Sequence, residues 1–205
     1  MLKARMAVLV SGGGTNLQAL IDAQKADKIR SAVIALVISG TPNAYALVRA
    51  RENNIPALLI SKKDCASQEE FEDKLQAALL ENDIDFIVMA GFLSILSGDF
   101  VKKWPRRIIN IHPSLIPSFC GKNYYGLRVH EAALEKGVKV TGATVHFVNE
   151  IPDGGEIILQ KAVRVLRGDT PETLQRRVME QAEWQILPKA AELAAKDIIN
   201  TGKPR

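Results

Sequence analysis

The first hundred residues alternate continuous apolar runs with segments of helical periodicity, and this alternation constrains the fold more than any other feature. A strand that is apolar at every position is typical of a sheet covered on both faces. Strands separated by helices pair in parallel through right-handed crossovers. We therefore expect a parallel sheet buried on both faces. The predicted strands are residues 6–10, 32–39, 56–60 and 85–91, and the predicted helices are residues 15–24, 44–53 and 67–82.

The second half of the chain has a different pattern. Residues 107–112 predict one further strand, and a short helix is expected at residues 129–136. Residues 139–148 and 155–166 are typical of two long strands joined by a polar, glycine-rich turn. The predicted fold class is α/β: a Rossmann-like, mostly parallel sheet flanked by helices, with antiparallel strands in the C-terminal half.

A closing helix is predicted after the last strand. Thr170 is suited to cap it, Pro171 suits its first position, and Pro188 is expected to kink it. Because the chain has no repeat, low-complexity segment or obvious linker, its 205 residues are predicted to form a single domain.

The composition excludes several classes of protein. No apolar run approaches the roughly 18 residues of a membrane helix, and the apolar stretch near the start is too short for a secretory signal. Cys65 and Cys120 have neither metal-ligand nor redox spacing. The formal charge is only +4, and basic residues are not interleaved with aromatic ones. We expect a cytoplasmic protein without a structural metal, a nucleic-acid partner or a membrane partner.

The segment "IINIHPSLIP", residues 108–117, places two polar residues in an apolar strand. Residues two apart on a strand point to the same side, so Asn110 and His112 project together. Pro113 prevents the strand from continuing inside a sheet. The pair therefore lies where a strand ends, which is where α/β sheets bind ligands.

A glycine-rich segment, "SGGGTNLQ" at residues 11–18, joins the first predicted strand to the first helix. Glycines allow the backbone to approach an anion, and free N–H groups at the start of a helix favour phosphate. The segment is not a Walker loop, and Leu17 replaces the third glycine of the dinucleotide pattern. A single small phosphate fits it, and a turn that only connects two elements is the equal alternative.

His112 is the strongest candidate for proton transfer, because the pKa of a free imidazole is near neutral. Asn110 adds an amide donor, and Asp153 lies in a "DGG" turn that can bring a carboxylate close to other groups. An amide, an imidazole and a carboxylate suit acyl transfer with direct attack by a substrate amine. His130 and His146 are expected to be structural.

Five segments, in the same order and over nearly the whole chain, resemble the glycinamide ribonucleotide formyltransferases, a folate-dependent formyltransferase family. They are "SGGGTNLQALID", "MAGFLSILS", "INIHPSLIPSF", "VTGATVHFV" and "IPDGGEIILQ". The "NIHPSLIP" and "DGG" pair is shared by folate-dependent formyltransferases generally. The "GGGTNLQ" loop narrows the resemblance to the glycinamide ribonucleotide formyltransferases.

The resemblance implies a reaction and its residues. The formyl donor would be 10-formyltetrahydrofolate, and the amine of 5-phosphoribosylglycinamide would attack it in de novo purine biosynthesis. Asn110 and His112 would meet the oxyanion, and Asp153 would keep His112 basic. Residues 1–100 would be the phosphate-binding half, and residues 101–205 the catalytic and folate-binding half.

The resemblance also implies the binding residues. The substrate phosphate would lie on Gly14, Thr15 and Asn16, with Glu183 of the last helix facing the ribose. The folate would contact two segments, whose members are Leu93, Ser94, Ile95, Leu96, Asn149, Glu150, Ile151 and Pro152.

The chain departs from some relatives at the folate tail, because arginines of those relatives align with Gln68 and Ser94. Its loop from Cys120 to Gly126 is also longer than in some relatives. Two other 10-formyltetrahydrofolate enzymes share the catalytic trio, namely methionyl-tRNA formyltransferase and formyltetrahydrofolate hydrolase, but each normally carries a further domain. A non-catalytic protein that binds a phosphate ligand is the third possibility.

Overall fold

The computed structural model describes residues 3–201. These residues form a seven-stranded sheet with helices packed on both faces. The strands are β1 (Ala4–Val10), β2 (Ala32–Ser39), β3 (Ala57–Leu59), β4 (Phe86–Met89), β5 (Ile108–His112), β6 (Val140–Phe147) and β7 (Ile157–Arg164). The helices are α1 (Thr15–Lys25), α2 (Tyr45–Glu52), α3 (Gln68–Glu81), α4 (Gly98–Lys102), α5 (Leu127–Lys136), α6 (Pro171–Val178) and α7 (Trp184–Asn200), with a 3₁₀ turn at Lys62–Asp64 and a π-helical turn at Met179–Glu183.

The strand order in the sheet is β3-β2-β1-β4-β5-β6-β7. Pairs from β3 to β5 are parallel, whereas β6 is antiparallel to both β5 and β7. The predicted fold class is therefore confirmed. One apolar layer packs α1 and α7 against the sheet, and the other packs α3 and α4 against the opposite face. The central strands are continuously apolar because both faces are covered.

The third strand departs from the prediction. The apolar run at residues 56–60 predicts a strand buried on both faces, but β3 is exposed at all three of its residues. It forms an edge of the sheet and pairs only with β2. The prediction of burial is wrong here because the apolar content of a short run does not report where the strand lies in the sheet.

The closing helix begins as predicted but is interrupted in a different place. The Thr170 side chain accepts a hydrogen bond from the Thr173 N–H, and Pro171 takes the first helical position. The departure from α-helical geometry lies in the π-helical turn, and α7 then runs through Pro188. A π turn holds more residues than an α turn and is frequent at functional sites. Its last residue, Glu183, contacts α1.

Three loops emerge together at one edge of the sheet. They follow β1, β4 and β5, which are adjacent, parallel strands. Their residues are 11–14, 90–97 and 113–126. Because parallel strands have their carboxyl ends at the same edge, these loops surround the position where α/β sheets bind ligands.

Candidate active site

The carboxyl end of β5 carries the predicted pair of polar side chains. Asn110 is paired across the sheet with His146 of β6, and His112 is paired with Thr144. Because cross-strand partners share a face, these four side chains lie on one side of the sheet. His112 is buried, with 4% of its surface exposed. Asn110 is half-buried.

The loop between β6 and β7 brings Asp153 to this cluster. One carboxylate oxygen, Oδ2, lies 3.5 Å from His112 Nδ1, and the other, Oδ1, lies 3.5 Å from His146 Nε2. The Gly121 N–H donates to Oδ2 over 2.8 Å. The structure thus brings Asn110, His112 and Asp153 together and adds His146 between the amide and the carboxylate.

The hydrogen bonds of His112 define its neutral form. Its Nε2 lies 2.9 Å from the carbonyl oxygen of Phe119, an atom that can only accept, so Nε2 carries the proton. Nδ1 is then the basic nitrogen, and it faces Asp153. A proton taken up at Nδ1 would produce an imidazolium that the carboxylate stabilises.

The electrostatics of the pair agree with this arrangement. Burial lowers the pKa of His112 below its ordinary value, and the charge of Asp153 offsets part of that shift. For Asp153, burial acts to raise the pKa, but the contacts with His146, His112 and the Gly121 N–H outweigh it and leave the pKa lowered. The cluster therefore combines a neutral imidazole with an ionised carboxylate near pH 7.

The Asn110 amide is oriented by His146. Its Nδ2 lies 3.2 Å from His146 Nε2, and His146 Nδ1 lies 2.8 Å from the Phe147 carbonyl oxygen. The single contact to His146 Nε2 involves at most one of the two amide N–H groups. The other N–H remains for a ligand oxygen.

The glycine-rich loop has the geometry of an anion site. Gly14 precedes α1 in the left-handed conformation, with φ of 70°, and no side chain caps the first turn of the helix. A Cβ at Gly14 would lie 2.7 Å from the Ala46 Cβ, so glycine is required there. The uncapped N–H groups that begin at Thr15 can bind phosphate.

Asn16 and Glu183 meet beside this loop. The Asn16 Nδ2 donates to Glu183 Oε2 over 2.6 Å, and both residues are buried. Within residues 3–201, the buried Asn16 Oδ1 has no hydrogen-bond partner. Burial raises the pKa of Glu183 to about 7, although the bond from Asn16 opposes that shift. The unpartnered Asn16 Oδ1 can accept a hydrogen bond, and the Glu183 carboxyl can accept or donate one. Together they suit a ligand with several hydroxyl groups, such as a ribose.

The raised pKa of Glu183 predicts a pH-dependent stability. Between about pH 4.5 and pH 7, the folded protein holds a proton on Glu183 that the unfolded chain has lost. The contribution of Glu183 to the free energy of unfolding is therefore largest below its unfolded pKa of 4.5. It declines as the pH rises from there to about 7. We expect Glu183→Gln to abolish that decline, in urea unfolding measured from pH 4.5 to pH 8.

The exposed Glu131 provides the matched control for this experiment. Glu131→Gln should follow the wild-type profile, and the comparison cancels the titration of the buried histidines, which all three proteins share. Identical pH profiles for Glu183→Gln and wild type would contradict the prediction.

The residues that the resemblance assigns to folate lie in two neighbouring loops. Leu93 and Ile95 are 64% and 70% exposed, and Ile151 in the second loop is 66% exposed. Leu96 is buried. The two loops are close together at Gly98, which follows the first loop and begins α4. A Cβ added to Gly98 would lie only 3.3 Å from Glu150 Cγ in the second loop. In the second loop, Asn149 bonds the Ile151 N–H and the Gly154 carbonyl and so fixes its own turn.

A groove of about 1050 Å³ lies elsewhere, between α1 and α7. It includes Thr15 at the start of α1 but none of Asn110, His112, His146 and Asp153. The segment from Phe119 to Gly121 contacts the cluster through the two backbone groups described above. No set of three metal-ligating side chains was found among residues 3–201.

His146 is the site residue that sequence reasoning assigned a different role. The pattern that singled out Asn110 and His112, two polar residues two apart on an apolar strand, recurs in Thr144 and His146, and it could have identified this residue. His130, by contrast, is fully buried, and burial lowers its pKa to about 4.

Comparison with known proteins gives one consistent result. The family model described as formyl transferase matches residues 4–191. The chain is 48% identical, over 98% of its length, to the trifunctional purine biosynthetic protein adenosine-3 of Homo sapiens, of which it covers 19%. It is 42% identical to the phosphoribosylglycinamide formyltransferase of Haemophilus influenzae, over 90% of this chain and 84% of that protein.

Solved structures agree with the curated relatives. Glycinamide ribonucleotide transformylase 1 from Symbiobacterium toebii superposes with a TM-score of 0.88 at 42% identity, over 95% of this chain and 89% of that one. The chain spans about a fifth of the length of the trifunctional relatives that it matches.

Proposed function

The chain belongs to the formyl transferase family, and we propose that it transfers the formyl group of 10-formyltetrahydrofolate to the amine of 5-phosphoribosylglycinamide in de novo purine biosynthesis. The names of the Haemophilus and Symbiobacterium relatives describe formyl transfer to this acceptor. Because the trifunctional relatives extend far beyond the matched region, nothing else about those proteins is carried over to this chain.

One observation carries the proposal most directly: the Asp153 carboxylate lies 3.5 Å from the basic nitrogen of His112, at the strand end that also holds Asn110. These groups match the charges that an acyl transfer develops. The amine becomes positive as it attacks, and the formyl oxygen becomes negative.

The proposed step proceeds by direct attack. The amine nitrogen of the acceptor forms a bond to the formyl carbon, and the carbonyl electron pair moves to oxygen. The free N–H of Asn110 donates to that oxyanion. His112 accepts the proton that the amine loses, and Asp153 stabilises the imidazolium. When the tetrahedral intermediate collapses, the bond from carbon to N10 of the folate breaks, and the proton passes to N10.

The binding residues are proposed on the same basis. Gly14, Thr15 and Asn16 would hold the substrate phosphate at the uncapped start of α1, and Glu183 would bind the ribose. The exposed apolar side chains of residues 93–96 and 149–152 would contact the folate. The first half of the chain would then bind phosphate, and the second half would supply catalysis and the remaining folate contacts.

Several expectations stay predictions. The cytoplasmic location, the absence of nucleic-acid and membrane partners, and the reaction without metal rest on the sequence. None of the helices described between residues 3 and 201 has the length and apolar character to span a bilayer.

The test is a formyl-transfer assay with purified protein and 10-formyltetrahydrofolate. We expect transfer to glycinamide ribonucleotide, unchanged by EDTA, and no comparable transfer to methionyl-tRNA or water. Preferred transfer to methionyl-tRNA or release of formate would replace the proposal with one of the other folate enzymes. Folate binding without transfer to any acceptor would favour the non-catalytic alternative.

A further inference from the structure

The loop between β4 and α4 has an unusual combination of exposed side chains and a fixed backbone. Leu93 and Ile95 expose most of their apolar surface. Their backbone is nevertheless tied to other elements. The Leu93 N–H donates to Ser11 Oγ over 3.0 Å, and Gln68 Nε2 of α3 donates to the Ile95 carbonyl oxygen over 3.1 Å.

The end of this loop is held by a buried carboxylate. Glu72 of α3 is 8% exposed. Its Oε1 accepts the Ser97 N–H over 2.6 Å, and its Oε2 accepts the Ser97 hydroxyl over 2.6 Å. Gln68 Nε2 donates to Oε1 as well. Hydrogen bonds that are shielded from water are stronger than exposed ones.

The carboxylate also fixes the start of the next helix. The Ser97 hydroxyl donates a hydrogen bond to Glu72, which leaves its oxygen lone pair directed at the Phe100 N–H. The Ser97 oxygen accepts that N–H over 3.1 Å and so caps the start of α4. Glu72 thereby joins α3, residues 93–97 and α4 into one network. Gln68 belongs to the same network through its contacts with Glu72 and the Ile95 carbonyl oxygen.

We propose that Glu72 is a positioning residue for folate binding: it holds the backbone of residues 93–97 so that the Leu93 and Ile95 side chains are presented in advance to the formyl donor. This inference rests on the proposed function for the identity of the ligand. A loop that is ordered before binding loses less conformational entropy when the ligand arrives. Without the carboxylate, the donor would have to order the loop itself.

A matched control exists on the opposite side of the sheet. Glu192 of α7 also anchors a loop, since its carboxylate accepts the backbone N–H groups of Arg30 and Ser31 and the Ser31 hydroxyl, each over 2.9 Å. Glu192→Ala removes a similar set of hydrogen bonds without touching residues 93–97.

The experiment compares Glu72→Ala with Glu192→Ala. For Glu72→Ala we expect the dissociation constant for tetrahydrofolate, measured by calorimetry, and the KM for 10-formyltetrahydrofolate to rise about tenfold or more. The acceptor KM and the kcat at saturating donor should stay within about twofold. Amide exchange should become faster in peptides covering residues 92–100. Glu192→Ala should change none of these folate readouts.

A second pair of variants covers the case in which alanine prevents folding. Glu72→Gln keeps the side-chain volume and one acceptor for the Ser97 N–H, so it should raise the same constants by a smaller factor, with Glu192→Gln as its control. Equal folate binding and equal exchange of residues 92–100 in the Glu72 and Glu192 variants would overturn the inference.

The binding measurement separates this inference from the proposed function. A wild-type protein that binds tetrahydrofolate but transfers no formyl group would refute the proposed reaction, and the Glu72 comparison would still decide the positioning role. A wild-type protein that binds no tetrahydrofolate would overturn both.

Discussion

We expect the Asp153→Asn variant to lose about 10²–10⁴-fold in kcat, with the limb of the pH–rate profile that reports His112 displaced to lower pH. The carboxylate lies 3.5 Å from His112 Nδ1 and raises the pKa of that imidazole against the larger, opposite effect of burial. Removing the charge deletes the larger of the two effects that oppose burial, the other being the hydrogen bond with the Phe119 carbonyl, so the pKa falls further. A less basic His112 accepts the proton of the amine less readily.

Asparagine is the appropriate replacement because of the backbone at this position. Asp153 has φ of 56°, in the left-handed region that asparagine and aspartate tolerate better than other residues with side chains. The asparagine carbonyl oxygen can still accept the Gly121 N–H that now bonds Oδ2. The change therefore removes the charge while the turn is kept, whereas alanine would add backbone strain.

The measurement is kcat against pH for both proteins, with circular dichroism to establish that the variant is folded. Asp27→Asn is the matched control, since Asp27 is exposed and has the same φ of 56°. It should have the wild-type profile. A folded Asp153→Asn protein with a near-normal rate and an unshifted limb would reduce Asp153 to a turn residue and leave Asn110 and His112 as the catalytic pair.

The Asn110→Ala variant should lose about 10²–10³-fold in kcat, the typical effect of removing one oxyanion donor. Because the amide nitrogen lies 3.2 Å from His146 Nε2, the amide is held in place with one N–H free before the substrate binds. Such a donor acts on charge that develops only in the transition state. We therefore expect the loss in kcat and little change in either KM.

Separate determination of kcat and of both KM values tests this expectation, and a thermal melt establishes stability. Asn82→Ala serves as the control, because Asn82 is half-buried like Asn110 and its side chain donates to the Ala78 carbonyl oxygen at the end of α3, outside the candidate site. A stable, fully active Asn110→Ala protein would remove the residue from the mechanism. A change confined to KM would assign it to ground-state binding.

The sequence alone determined those features that depend on local periodicity. Continuous apolar runs identified β1, β2 and β4 as strands of a covered parallel sheet, because burial on both faces leaves no polar alternation. The two-residue period of a strand placed Asn110 and His112 on one face before their surroundings were known. Thr170 and Pro171 marked the start of the closing helix through capping, which is also local.

Tertiary structure decided which distant residues meet. The antiparallel register of β5 and β6 places His146 opposite Asn110, and no pattern within either strand encodes that register. The edge position of β3, which exposes an apolar run, depends on the order of all seven strands. The contact of Glu72 with Ser97 joins residues 25 positions apart through packing of α3 against the sheet. Local sequence sets the conformation and facing of each element, whereas register, edge position and these contacts arise only when the elements pack together.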